Sequence, residues 1–155
     1  MRLVLIILLL VLSEYTYSSD ILKTRELYSN ASLSENNCKR FGESLYKNST
    51  KSPIIKGYKG CYLMIKCKFT SNPIQKIYYF NKGKSKIEKA IKENPYSLEI
   101  RLLRYSIQKK LPKLLLYFNE IEEDYNFIIN NISTINDDKT KEFIIQSLKA
   151  LNKWI

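Results

Sequence analysis

Histidine is missing from all 155 residues of the chain. Its absence removes the commonest general base, the Ser-His-Asp and Cys-His arrangements, and most catalytic zinc sites. Glycine and proline are scarce, at 4 each, too few for the many tight turns of a β-sandwich or barrel. Arginine falls to 5 against 21 lysines. Guanidinium is the group that grips phosphate and guanine with two parallel bonds, so no specific nucleic-acid reading is expected. Acids are few as well, 15 against 26 lysines and arginines, for a net charge of +11. The sequence shows no CxxC pair, Cys/His cluster or glycine-rich phosphate loop, so neither a metal nor any other cofactor is expected. What is present is enough for a core. Hydrophobic residues make up 45% and aromatics 12%, which excludes a disordered chain. Lys, Ile, Asn and Tyr dominate, the set that an A/T-rich coding sequence writes. The length suits about one domain.

The first residues read as an export leader. Met1-Arg2 is a short basic start, and Leu3 to Leu12 is an unbroken apolar run of ten. That is shorter than the ~20 residues that span a bilayer and fits the apolar core of a signal peptide. Small residues at Thr16 and Ser18 suit cleavage after Ser18. The division expected is therefore a signal peptide over 1–19 and a single helical domain over 20–155. The protein is then exported to the periplasm or cell envelope, or secreted. Export would place Cys38, Cys61 and Cys67 in an oxidising compartment. If a bridge forms, Cys38–Cys61 or Cys38–Cys67 is the pair; otherwise all three are small core residues, the reading favoured here.

From Asp20 onward the apolar period is helical. Seven helices are expected. The first carries Ile21, Leu22, Leu27 and Tyr28, and the second Cys38, Phe41, Leu45 and Tyr46. Ile54, Tyr58, Cys61, Ile65 and Phe69 mark the third. Ile74, Ile77, Tyr78, Phe80, Ile87, Ala90 and Ile91 are the buried candidates of the fourth, which Asn94-Pro95 ends. Ser97 caps a fifth with Ile100, Leu103 and Ile107, stopped by Pro112. Leu114, Phe118, Ile121, Tyr125, Ile128 and Ile132 then run at helical spacing through a sixth. Ile144, Leu148, Leu151 and Ile155 mark the last. Short connections make neighbours antiparallel, so the fold class is all-α, about seven antiparallel helices stacked as helical hairpins.

The fourth helix carries Gly83, Ile87, Ala90 and Pro95 at offsets that resemble the second half of a tetratricopeptide repeat. Gly83 and Ala90 would let the neighbouring helix approach, and Ile87 would fill the hairpin. The stretch from Gly57 to Asp124 is also similar to small exported Bacteroidetes proteins of unassigned function. The residues that carry this likeness are Gly57-Tyr58-x-Gly60, Asn72-Pro73, Glu88-x-Ala90-Ile91, Glu99-x-Arg101-x-Leu103-Arg104, Gln108, Pro112, Tyr117 and Asp124. The resemblance implies a helical-repeat fold and no known activity; with the catalytic residue types missing, the expected function is an uncharacterised exported scaffold or protein-interaction module without catalytic activity.

Charge is uneven. Residues 39–92 hold 14 lysines and arginines against 2 acids, net +12, whereas residues 93–155 hold 9 of each. This marks a candidate basic patch of Lys56, Lys59, Lys66, Lys68, Lys76, Lys82, Lys84, Lys86 and Lys89. Such a patch attracts anions, so an acidic envelope component or peripheral contact with an anionic membrane is the alternative function. Arg101, Arg104 and Gln108 share one helical face, with Asp124 and Glu120 on the partner helix. That set is either a groove gripping a carboxylate or phosphate, or a structural clamp between two helices; the clamp is the favoured reading. Glu120, Glu122, Glu123 and Asp124 otherwise read as a solvated acidic face. The partner is expected to be an unidentified protein or an acidic envelope component, and the chain a monomer.

Overall fold

The computed structural model describes residues 20–47 and 52–152. The expected signal peptide lies outside the described residues, as does Ile155. Among the described residues the protein is all-helical, without strands. Its seven α-helices are, in chain order, α1 (20–30), α2 (Glu35–Lys47), α3 (Pro53–Lys66), α4 (Pro73–Glu93), α5 (Leu98–Lys110), α6 (Ile121–Asn131) and α7 (Asp138–Asn152).

The starts of these helices are written in the sequence. Ser52, Asn72 and Ser97 each accept backbone N–H bonds from the first turns of α3, α4 and α5, satisfying donors that the helix cannot use itself. Pro53 and Pro73 stand in the first turn of α3 and α4, where a missing N–H costs nothing.

The tightest pairing is α3 against α4. A Cβ on Gly60 would stand 2.8 Å from the carbonyl oxygen of Gly83, and one on Gly83 would stand 2.9 Å from that of Gly60. The two backbones therefore touch. Gly83 plays the expected part, but only with Gly60 facing it. Ile87 and Ala90 are fully buried alongside. Helix α5 is the hub: Glu99, Ile100 and Leu102 to Gln108 are all buried. One apolar cluster, with Phe41, Tyr58, Cys61, Ile87 and Leu103, spans α1 to α5. A second, with Leu102, Ile128, Ile144 and Leu148, joins α5 to α6 and α7.

Tyr46, expected on the apolar stripe of α2, is 59% exposed, and two further expectations fail at the opposite end of the bundle. The sixth helix starts at Ile121, not near Leu114. Pro112 forces Leu111 into extended backbone, at ψ 145°. The chain then makes a single 3-10 turn (Lys113–Leu115) and passes through Leu116 in the left-handed region, at φ 49°. Leu114 and Phe118 are therefore exposed, not buried. The first two turns of α4 also outrun their neighbours, so Ile74, Ile77 and Tyr78 face solvent. The three thiols are free: Cys38 and Cys61 are buried core residues and Cys67 is half-buried.

Candidate functional site

The arginine set forms a closed cluster. Arg104, on α5, donates from Nε to Asp124 Oδ2 at 2.7 Å and from Nη2 to Oδ1 at 2.8 Å, a two-pronged bond across α5 and α6. Arg101 donates to Asp124 Oδ1 at 2.9 Å and to Glu123 at 2.8 Å. Asp124 is 0% exposed. It is thus the buried anchor of the pair of helices, not part of a solvated acidic face; Glu122 and Glu123 do face solvent. Gln108 donates to Glu120 at 2.7 Å one turn further along. Its Oε1 is buried without a hydrogen-bond partner among the described residues.

The cluster reaches α4 through Glu88 and Tyr117, residues that the family likeness named without giving them a role. Arg104 donates to Glu88 at 3.0 Å, and Tyr117 OH donates to the same carboxylate at 2.5 Å. Burial works to strip Arg104 of its charge, but the bond to Asp124 and the field of Asp124 and Glu88 outweigh it and raise its pKa. Burial, with the Glu88 bond, likewise raises Tyr117.

A second buried pair joins Glu99, named above only for the family likeness, to an arginine with which the sequence did not connect it. Arg25 on α1 donates to both oxygens of Glu99, at 2.9 and 2.6 Å, and to Thr140 of α7 at 2.6 Å. Tyr58 OH donates to Glu99 at 2.5 Å. Burial and the adjacent carboxylate push Tyr58 well above the ordinary phenol range. One signal was available: Arg25 sits four residues after Ile21 and three before Tyr28, on the buried stripe of α1.

The clefts are shallow in chemistry. The one of about 270 Å³ between α1, α3, α5 and α7 has Tyr28 OH 2.5 Å from Ser106 Oγ at its floor and Lys110 at its rim. Ser106 Oγ donates to the Leu103 carbonyl at 3.0 Å. Burial raises the Tyr28 phenol far above its usual range, so it is no base at neutral pH. Lys110 is lowered by burial, with Lys68 adding to the effect. Among the described residues the Ser106 hydroxyl bonds to Tyr28 and the Leu103 carbonyl, with no bond to Lys110.

The basic patch is divided by α4. On one flank lysines lie over tyrosine rings: Lys59 over Tyr46 at 5.3 Å, Lys66 over Tyr79 at 4.5 Å and Tyr62 at 5.8 Å, and Lys82 over Tyr78 at 5.8 Å. Hydrogen bonding to Tyr79 raises Lys66 against a modest burial effect. On the other flank Lys84 lies over Tyr117 at 4.8 Å. Lys68 donates to the Ser32 carbonyl at 2.9 Å. Lys76 and Lys89 point into solvent, and Lys86 is half-exposed. Lys56 is paired with Glu93; among the described residues it is the one lysine of the patch in an ion pair. The likeness to tetratricopeptide repeats and to exported Bacteroidetes proteins finds no support outside the sequence: no family model, curated protein or solved structure matches this chain.

Proposed function

We propose that the protein is a non-catalytic helical binding module, built of tetratricopeptide-like hairpins and exported to the envelope. Its working surface is the lysine-tyrosine flank of α2, α3 and α4. The observation that carries this reading is a division of labour among the polar side chains. Arg25, Arg101 and Arg104 are joined to the carboxylates Glu99, Asp124 and Glu88 between helices, and so hold shape. The lysines of the patch are mostly left without carboxylate partners, and several rest on aromatic rings. Stacking on a ring holds an ammonium in place while leaving its charge to act outward. An anionic envelope component is the partner that such a face fits. The reading as a groove built on Arg101 and Arg104 is less favoured, because Asp124 already occupies both forks of Arg104.

Retention on a sulfated polymer such as heparin, eluted with salt, tests it. Lys59→Glu with Lys66→Glu is expected to elute much earlier than wild type. Lys139→Glu with Lys141→Glu makes the same change in net charge on α7 and is expected to shift elution little. Equal shifts from the two pairs would mean that net charge alone is sensed and that the face has no special role.

A further inference from the structure

One end of the bundle combines features found together nowhere else among the described residues. Three stretches meet there: the α1–α2 turn, the end of α3 with the start of α4, and the end of α5 with the loop after it. The contacts are direct. Lys68 bonds to the Ser32 carbonyl at 2.9 Å. The Phe80 and Tyr117 rings meet edge to face with centroids 6.3 Å apart. Residues 27–34, 63–87 and 100–119, which supply these stretches, contain no Asp or Glu at all. Glu88 and Glu120, which follow two of these segments, are engaged by Arg104, Tyr117 and Gln108; Glu35 opens α2 and Glu122 and Glu123 open α6 beside them.

From this lysine-bearing end, large apolar side chains project on three stretches: Leu33, Ile74, Ile77, Leu114 and Leu116, with Leu114 89% and Ile74 77% exposed. Lys68, Lys76, Lys110 and Lys113 stand among them on the same segments. A single exposed leucine is ordinary, but a set gathered on one end is the mark of a contact surface. Leu116 adds a second sign, because a bulky residue holds a left-handed backbone there while its side chain points into water.

We propose that this end docks on an anionic bilayer, with the leucine and isoleucine tips entering the headgroup boundary and the lysines meeting lipid phosphates. The inference rests on the reading of the lysine face as an anion-binding surface and names the partner. Two observations select a bilayer. The apolar tips stand on different loops and helix ends and do not line a groove, so they suit a soft apolar medium better than a shaped protein surface. A second copy in the same orientation would bring the lysines of two such segments face to face, which like charge opposes. Apolar insertion joined to several cations is the pairing that holds peripheral proteins on acidic membranes. Among the described residues no helix is long and apolar enough to cross a membrane, so the contact is one-sided.

The test uses the full chain and a local reporter, because the apolar run of residues 3–12 could itself bind lipid. Trp154 is the one tryptophan. In a Trp154→Phe background, tryptophan is placed singly at Leu114, at Ile74, or at Tyr96, which is exposed in the α4–α5 turn at the opposite end. With vesicles of phosphatidylcholine containing phosphatidylglycerol, the two tip probes are expected to shift to the blue and to be quenched by lipids brominated on their chains. The Tyr96 probe stays in water, pure phosphatidylcholine gives no shift, and free glycerol phosphate gives none. The proposal is overturned if the tip probes stay in water, or if all three probes move together. It is also overturned if the tip probes shift with rising protein concentration without lipid, which would mean that a second copy covers this end. Heparin retention with tip probes that stay in water would leave the lysine face standing and refute the bilayer. Loss of heparin retention with lipid-buried tip probes would do the reverse.

Discussion

Asp124 shows what a single residue does here. It sits between two arginines with no solvent access, and removing it leaves two guanidinium groups facing each other in a confined space. Breaking a buried pair by deleting one partner costs about 3–5 kcal/mol, because the remaining charge is stranded. Asp124→Ala, and likewise Arg104→Ala, is expected to lower stability by about that amount in urea denaturation. A curve that overlays wild type would show that the pair is not buried and bonded as described. The lesser role of Tyr58 can be separated from it. Tyr58→Phe removes one bond to Glu99 and leaves Arg25 in place, so a cost of only ~1–2 kcal/mol is expected. Arg101, Arg104, Gln108 and Asp124 were legible because arginine is rare in this chain and helical spacing put them on facing helices. Arg25 was not, because a lone charged residue on a short apolar stripe is indistinguishable from a rim residue until its partner, 74 positions away, is known.

At the scale of elements, the α3–α4 pair depends on two glycines that face one another. Gly60→Ala would place its methyl 2.6 Å from Ile87 and 2.8 Å from a backbone oxygen, so the helices must part. Overpacking of this kind costs about 1–3 kcal/mol, with the upper part of that range expected because backbone cannot swing aside. Urea denaturation, with wild-type helicity retained, checks it; a neutral substitution would mean that the helices are further apart. Leu116 offers the opposite sign. A non-glycine residue in the left-handed region loses roughly 1–2 kcal/mol, and the exposed Leu116 side chain gains little burial in return. Leu116→Asn is expected to raise stability by up to about 1 kcal/mol, read as a higher urea midpoint. Periodicity made six of the seven helices readable nearly to their ends. It misplaced the start of α6 because Leu114 and Phe118 hold helical spacing by number alone, while Pro112 dictates the backbone that precedes them.

For the whole molecule, the buried phenols tie stability to alkaline pH. Tyr28, Tyr58 and Tyr117 are all raised, chiefly by burial. Each is neutral when protonated, and its folded value lies above the ordinary ~10. Their contribution is therefore complete below about pH 10 and is lost as pH climbs beyond it toward the folded values. Tyrosinate absorbance in an alkaline titration is expected in two stages, exposed rings first and buried rings only together with loss of helix. Ionisation of every ring near pH 10 with helicity intact would contradict the buried environment. The molecule also has poles. Glu93, Glu99, Asp137 and Asp138 lie toward one end, tied there by the Lys56–Glu93 and Arg25–Glu99 pairs and the Thr140 bonds to Arg25 and Asp137; the carboxylate-free segments, with Lys68, Lys76, Lys110 and Lys113, gather at the other beside Glu35, Glu122 and Glu123. In the bilayer proposal, the unpaired lysines at that second end give the bundle a preferred orientation toward negative charge. In the field of any negatively charged wall the protein turns before it touches, so first contact is made tip-first, and the lysine-tyrosine flank is free to settle only afterwards.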